Sequence, residues 1–399
     1  MSNLDTSHPA FTPTGQLHFG VNVLGPAAEL SFDELRTIAQ TAERGLFSLL
    51  TLDERYWLRS DPGTVAATDP AGSNDVTTLL SALTAVTSHI GVVVAAAPDY
   101  DEPGDLTARI ASLDQLSGGR AAWHILADGA VYGESPLEQD AGEPSGRHAL
   151  IAATQRAWST PQETEPPGPV ETLGAFERDG QLYSVGLGAL RQPVTRRGPV
   201  VMHDAGSPHD SATAAAYAEV ILTPPASLEE ALAVRRTLSA SIQAAGRSAD
   251  HVRILQAATF ILAPTHEEAV EKELWMREQL PESVLDAKAF VGSYRAVAEQ
   301  LLDFSRTGAV DGFMVMPWLF EDELTGIVNH LIPELQRRGA YPLDYTASTL
   351  RGHLALPQRL PGTATDARHT LPVIEVGELE DVRLDLDLRM ELIVQKLQL

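Results

Sequence analysis

The residues able to do chemistry are few, and they gather at the ends of apolar runs. The stretch SGGRAAWHILADG (residues 117–129) opens as a turn, turns apolar and closes on Asp128-Gly129. Inside it lies His124. An imidazole there either exchanges protons near neutral pH or sits in the core bonded to a backbone carbonyl. Asp53 and Glu54 follow another apolar run, and Asp99 to Glu102 follow a third. Asn22, Thr223 and Met316-Pro317-Trp318 close others, and His203-Asp204 closes one just before Gly206-Ser207. Carboxylates and an imidazole so placed suit general acid–base work.

Several chemistries lack their pattern. His203 and Asp204 are strand neighbours and point to opposite faces, and no HxH or HExxH spacing supports a metal centre. No GxSxG elbow, no GxGxxG after a strand and no GxxxxGK[ST] loop occurs. The segment HDAGSPHDSATAAA says more. Gly206 and Ser207 would open a helix directly after a strand, where exposed amides and the positive helix end bind phosphate. The alternative there is plain N-capping by Ser207 or Asp210.

Short apolar runs alternate with amphipathic helices along most of the chain. LHFGVNV (17–23) predicts a first strand. SFDELRTIAQTAERG predicts a helix with a Ser31–Glu34 capping box and a stop at Gly45. Further strands are expected at 47–52, 90–97, 121–126, 199–203, 220–223, 252–262 and 312–316. Helices are expected at 75–88, 103–116, 209–217, 228–245, 266–279, 293–307 and 321–338. Eight strand–helix units argue for an α/β TIM (β/α)8 barrel, with a doubly wound sheet as the alternative. In a barrel the chemical groups come from the C-terminal strand ends, where the candidates above lie.

The expected division is a barrel over 1–356, an insertion over about 128–195, and a C-terminal extension over 357–399. The insertion is rich in Pro, Gly, Glu and Thr, with a helix at 147–158 and a hairpin around RDGQLYSV. The extension carries VRLDLDLRMELIV, apolar at every second position, which predicts a β arm on the insertion or on a neighbouring subunit. An acidic amphipathic helix is the other reading of that tail.

Composition narrows the partners. A net charge of −25, from 54 acidic and 29 basic residues, repels nucleic acid and anionic lipid. There is no cysteine, hence no disulfide, thiolate ligand or cysteine nucleophile. No apolar run is long enough to span a membrane, and MSNLDTSHPAFTPTG lacks the features of a secretory signal, so a cytoplasmic location is expected.

SGGRAAWHIL resembles the SGGR-x-x-W-N-x-V/I segment of flavin-dependent monooxygenases related to nitrilotriacetate monooxygenase, within the bacterial luciferase-like superfamily. YDEPGDLTARIASLDQLSGGR is similar to that group's Y-H-x-P-Y-x-x-A-R-x-x-x-x-L-D-x-L-S-G-G-R, and PVVMHDAGSP to its P-V-x-x-Q-A-G-x-S. NDVTTLLSALTAVTSHIGV, GAVDGFMVMPWLF and VNHLIPELQRRGAYPLDYTASTLRGHLAL follow in the same order.

The resemblance implies a luciferase-like barrel, reduced FMN and molecular oxygen as cosubstrates, and a small organic substrate. It also implies a separate NAD(P)H-dependent flavin reductase and a homodimer or larger assembly. Carried over by position, Ser207 with Gly206 falls at the phosphate site. Tyr100, Ala96 and Asp128 fall near the cofactor, Asp53 at an acidic position, and His124 at a catalytic one. The chain departs from the pattern at several of these. His124 replaces Asn, Ala95 to Ala97 replace a Ser/Thr-rich strand end, and His203-Asp204 stands where Gln is expected. Each lost hydrogen bond to a flavin is worth about 0.5–1.5 kcal/mol. A barrel without flavin serving as a binding or partner subunit, and a deazaflavin-dependent oxidoreductase, are the alternatives this leaves open.

Overall fold

The computed structural model describes residues 16–23, 30–53, 75–96, 103–126, 146–159, 172–178, 181–186, 198–279, 288–317 and 320–357. In chain order the elements are β1 (His18–Val23), α1 (Phe32–Arg44), β2 (Leu49–Asp53), α2 (Val76–Thr84), β3 (Gly91–Ala96), α3 (Pro103–Ser117) and β4 (Ala121–Ile125). Next come α4 (Gly146–Ser159), β5 (Thr172–Arg178), β6 (Gln181–Gly186), β7 (Val200–Asp204), α5 (Pro208–Tyr217), β8 (Val220–Thr223), α6 (Leu228–Ala244) and β9 (Arg253–Ala258). The rest are β10 (Phe260–Ala263), α7 (His266–Gln279), β11 (Phe290–Ser293), α8 (Tyr294–Thr307), β12 (Gly312–Val315), α9 (Phe320–Gly326), α10 (Ile332–Arg337) and α11 (Leu350–His353).

Eight parallel strands close into a barrel in the order β1-β12-β9-β8-β7-β4-β3-β2. Closure rules out the doubly wound sheet. Along each strand, side chains alternate between two cores. Phe19, Val21, Leu50, Leu52, Val94, Ala96, Trp123 and Ile125 pack outward against the helices. Leu49, Val93, Ala122, Met202, Leu222, Leu255 and Met314 fill the interior. Gly20 keeps this interior tight. A Cβ there would lie 2.6 Å from Leu49 Cδ1 and 2.9 Å from Met314 Sδ. The helices start as the sequence indicates, with full capping boxes at Ser31–Glu34 and Ser227–Glu230 and Asp75 capping α2.

Two elements differ from the sequence reading. The run 252–262 is not one strand. β9 ends at Ala258, and β10 leaves the barrel to pair in parallel with β11, stacking Phe260 on Phe290 at 5.3 Å. A run of eleven residues, eight of them apolar, exceeds what the short barrel wall uses, so the surplus builds a second, two-stranded sheet. The final helix is also broken. A π turn at Ile327–Leu331 separates α9 from α10, just before Pro333, which has no N–H for the regular ladder.

The insertion contributes directly to the barrel. α4 buries Ile151 and Trp158 in the outer core, and Trp158 meets Trp123 edge-on at 6.1 Å. It therefore serves as the fourth helix of the barrel. β5 and β6 form the expected antiparallel hairpin.

The bottom of the barrel is sealed by residues 341–356. Leu350, Leu354 and Leu356 join the interior cluster, and Leu350 occupies the space a side chain at Gly91 would need. Arg253 donates to the carbonyls of Leu354 and Ala355 at 2.8 and 2.6 Å. Arg351, 1% exposed, pairs with Glu219 at 2.5 and 2.9 Å. Tyr341 and Tyr345 donate to backbone carbonyls of the α1–β2 turn.

The chain divides into two compact units, Met1–Arg359 and Leu360–Leu399. The alternating tail expected to form a β arm belongs to the second and lies outside the described residues, as do Glu54, residues 97–102, Asp128 and Trp318.

Candidate active site

The interior residues nearest the C-terminal strand ends follow from the alternation. Val21 and Val23 face outward, so Asn22 faces the axis; Leu50 and Leu52 do the same for Thr51. Trp123 and Ile125 face the helices, which turns His124 inward from β4. Met202 is interior, which turns Asp204 inward from β7 and His203 outward. Ala95, Leu222 and Ala257 complete this upper ring, with Met316 just past β12.

His124 and Asp204 meet across the β4–β7 seam. His124 Nε2 lies 3.2 Å from Asp204 Oδ2, with the imidazole side chain 3% exposed and the carboxylate 30% exposed. The approach is a close charge contact, not a well-aligned hydrogen bond. The pair has one shielded member and one member open to solvent, a layout suited to passing a proton between water and the barrel interior. His203 is fixed on the outer side, its Nδ1 2.6 Å from the Asp204 carbonyl oxygen.

Two other polar groups face the same interior without a partner. Asn22 is 3% exposed and Thr51 1% exposed, and among the described residues neither Asn22 Oδ1 nor Thr51 Oγ1 has a hydrogen-bond partner. They are register neighbours on β1 and β2. The arc from β8 through β9 to β12, with Leu222, Ala257 and Met316, is apolar.

The other sequence candidates fall in several places. Asp53 is the last residue of β2, in register with Ala95, which in turn pairs with His124. Ala96 faces the helices, and Ala95 presents its side chain inward instead. The Ala96 carbonyl accepts from the Trp123 indole at 3.2 Å and from the Leu126 amide at 3.3 Å. Trp123 therefore pins the ends of β3 and β4 together. Gly206 is exposed, with nothing near the position a Cβ would take. Ser207 caps α5. Its hydroxyl accepts from the Asp210 amide at 3.1 Å and donates to the Asp210 carboxylate at 2.6 Å. Tyr100 and Asp128 lie outside the described residues.

The SGGR signature lies at the other end of the barrel. Arg120 is 4% exposed and donates to the carbonyls of Ser117, Ile90, Thr84 and Thr87. At the N-terminal face such a residue holds the fold together and does no chemistry. Among the described residues, no set of three His, Asp or Glu side chains could hold a metal ion, and no helix is long and apolar enough to cross a membrane. Two surface cavities, of about 330 and 310 Å³, lie in the helical layer, and no residue of the upper ring lines either.

A closed (β/α)8 barrel with His124 set against Asp204 at its C-terminal end has the layout of an enzyme, with these groups where barrel enzymes carry their sites. The chain belongs to the luciferase-like monooxygenase family, whose pattern matches residues 14–280. N-acetyl-S-(2-succino)cysteine monooxygenase of Bacillus subtilis (strain 168) is 27% identical, with 82% of this chain and 91% of the relative aligned. Nitrilotriacetate monooxygenase component A of Aminobacter aminovorans is 25% identical, covering 80% of this chain and 88% of the relative. The solved structure of EDTA monooxygenase from Chelativorans sp. BNC1 superposes with a TM-score of 0.67 at 22% identity, covering 86% of this chain and 99% of that one. These findings bear out the superfamily, the kinship to nitrilotriacetate monooxygenase and the barrel that the sequence motifs indicated.

Proposed function

We propose that this chain is the oxygenase component of a two-component monooxygenase that uses reduced FMN and molecular oxygen on a small organic substrate. The contact between His124 and Asp204 at the barrel mouth carries the reading. It is supported by family membership and by a relative named as component A of such a system. A separate NAD(P)H-dependent flavin reductase would deliver the flavin. A cytoplasmic homodimer or larger assembly belongs to the same proposal.

The residues present fit a flavin. Gly206 leaves open backbone at the start of α5, with nothing within 4 Å of the position a Cβ would take. Gly206 and Ser207 would hold the phosphate, with the helix N-terminus adding its positive end. Ala95, in register between Asp53 and His124, would form a flat wall for the ring. Tyr100 and Asp128 stay assigned to the cofactor side through their place in the family pattern, and Ala95 takes the place expected of Ala96, whose side chain faces the helices. When bound, reduced FMN supplies the electrons that activate oxygen.

The chain's own groups then have defined tasks. His124 gives or takes a proton at Nε2, and Asp204 fixes the ring and stabilises its charged form. Asp53 is the second carboxylate of the site. Leu222, Ala257 and Met316 keep water from that side of the mouth. The test is an anaerobic titration with reduced and oxidised FMN. Binding of reduced FMN, retained in His124→Asn, supports the assignment; no binding of either form overturns it.

A further inference from the structure

Asn22 and Thr51 stand apart from every other polar residue of the upper ring. His124 and Asp204 face each other, and Ser207 is held by Asp210. Asn22 Oδ1 and Thr51 Oγ1 are buried, adjacent in register, and unpartnered among the described residues. A buried polar atom without a partner costs stability, so a protein keeps one where something else satisfies it. Directly beneath the pair the barrel is solid, because Gly20 brings Leu49 and Met314 together across the interior. The pair therefore lies one layer above this apolar plug, on the side of the C-terminal strand ends.

Its place in the ring separates it from the phosphate side. β1 lies four strands from β7 in either direction round the barrel, so Asn22 is diametrically opposite the strand that leads to Ser207. A flavin held by its phosphate beyond β7 leaves the β1–β2 side to the other ligand.

We propose that Asn22 and Thr51 form a substrate subsite that takes a neutral donor–acceptor group, a carboxamide or a hydroxyl, at the buried end of the organic substrate. The proposal rests on the monooxygenase reading above. Asn22 Oδ1 accepts from the N–H or O–H of that group, and Thr51 Oγ1 donates to its oxygen. An anion is disfavoured, since the described charged group of the mouth open to solvent is the Asp204 carboxylate. A cation is disfavoured, since it would be desolvated beside Leu49 and Met314 while that carboxylate is engaged with His124.

The experiment uses the flavin-free full chain, so its failure and a failure of flavin binding are read separately. Thr51→Val and Asn22→Leu keep size and remove the unpartnered atoms. Each variant is expected to melt about 1–3 °C above the wild type, since it deletes a buried group that the free protein leaves unsatisfied. Acetamide at about 0.5 M, a range in which a fragment of four heavy atoms binds, is then the probe. It is expected to raise the wild-type melting temperature by about 1–2 °C more than that of either variant. Acetate and methylammonium at the same concentration are expected to show no such difference. Variants that melt at or below the wild-type temperature would show that the protein itself holds these atoms, and overturn the subsite. So would equal acetamide shifts in all three proteins. A larger wild-type difference with acetate or methylammonium overturns the neutral assignment.

Discussion

Acid should weaken this protein in a pH range where its carboxylates are still ionised, and His18 sets the size of the effect. His18 begins β1 at the sealed end of the barrel, partly buried, with Nδ1 3.4 Å from Ser48 Oγ. Burial outweighs the attraction of Asp311 and lowers its pKa from 6.5 to about 4, with Arg253 and His353 pushing the same way. The folded protein therefore holds His18 neutral, while the unfolded chain protonates it at 6.5. The stability involved is complete above pH 6.5, declines as pH falls, and is lost by about pH 4. At pH 5 the unfolded state gains about 2 kcal/mol from protonation and the folded state almost none. At the low-pH limit the loss approaches about 3 kcal/mol. Burial also lowers His353 to about 4, which steepens the same decline. Urea unfolding at intervals from pH 7.5 to 5 measures the slope. In His18→Gln the slope should shrink by about 2 kcal/mol over that range, whatever the variant's stability at pH 7.5. Equal slopes in variant and wild type would refute the assignment of a neutral, partly buried His18.

Other consequences can be checked one by one. Asp204→Asn should cut turnover about 10- to 100-fold while leaving FMN affinity within a factor of about two, as expected when an acid–base group loses its orienting partner. Ser207→Asp should abolish FMN binding, and Asp210→Asn should tighten it about fivefold at low salt by removing a carboxylate from the phosphate side; anaerobic fluorescence titration reads both. Arg351→Ala should lower stability by about 1–3 kcal/mol, seen as a drop in the urea midpoint, because the buried guanidinium's packing and its paired bonds to Glu219 are lost.

The barrel was legible because its periodicity is strong. Apolar runs such as IGVVVAA are buried on both faces, and the capping pairs Ser31–Glu34 and Ser227–Glu230 mark helix starts within a residue. The β10–β11 sheet was hidden because 252–262 is mostly apolar from end to end, and pattern alone does not show that a strand changes sheets at Thr259. The site was legible as positions, not as partnerships. His124 could be read as a pocket residue from its place in strand four. Its contact with Asp204 depends on β4 pairing with β7 across the intervening insertion, and sequence distance says nothing about that. The inward turn of Asp204, in place of His203, was fixed only once Met202 was found in the interior core. The same alternation moved the inward-facing side chain of β3 from Ala96 to Ala95. Thr51 gave no signal at all, since a threonine in LLTLD is ordinary strand composition.

The plug formed by residues 341–356 bears on how the protein is made. β1 hydrogen-bonds to β12, so the first strand to leave the ribosome waits for residue 312 before the cylinder can close. Leu350, Leu354 and Leu356, which seal its base, come later still. At about 5–20 residues per second, translation holds that seam open for roughly 15–60 s. Throughout that time the free edge of β1 and the inward leucine and methionine side chains are exposed to whatever else is in the cell. Demand for chaperones during synthesis should therefore be set by the last fifty residues of the barrel, and a ribosome stalled near residue 340 would present a complete ring of strands with an open, sticky base.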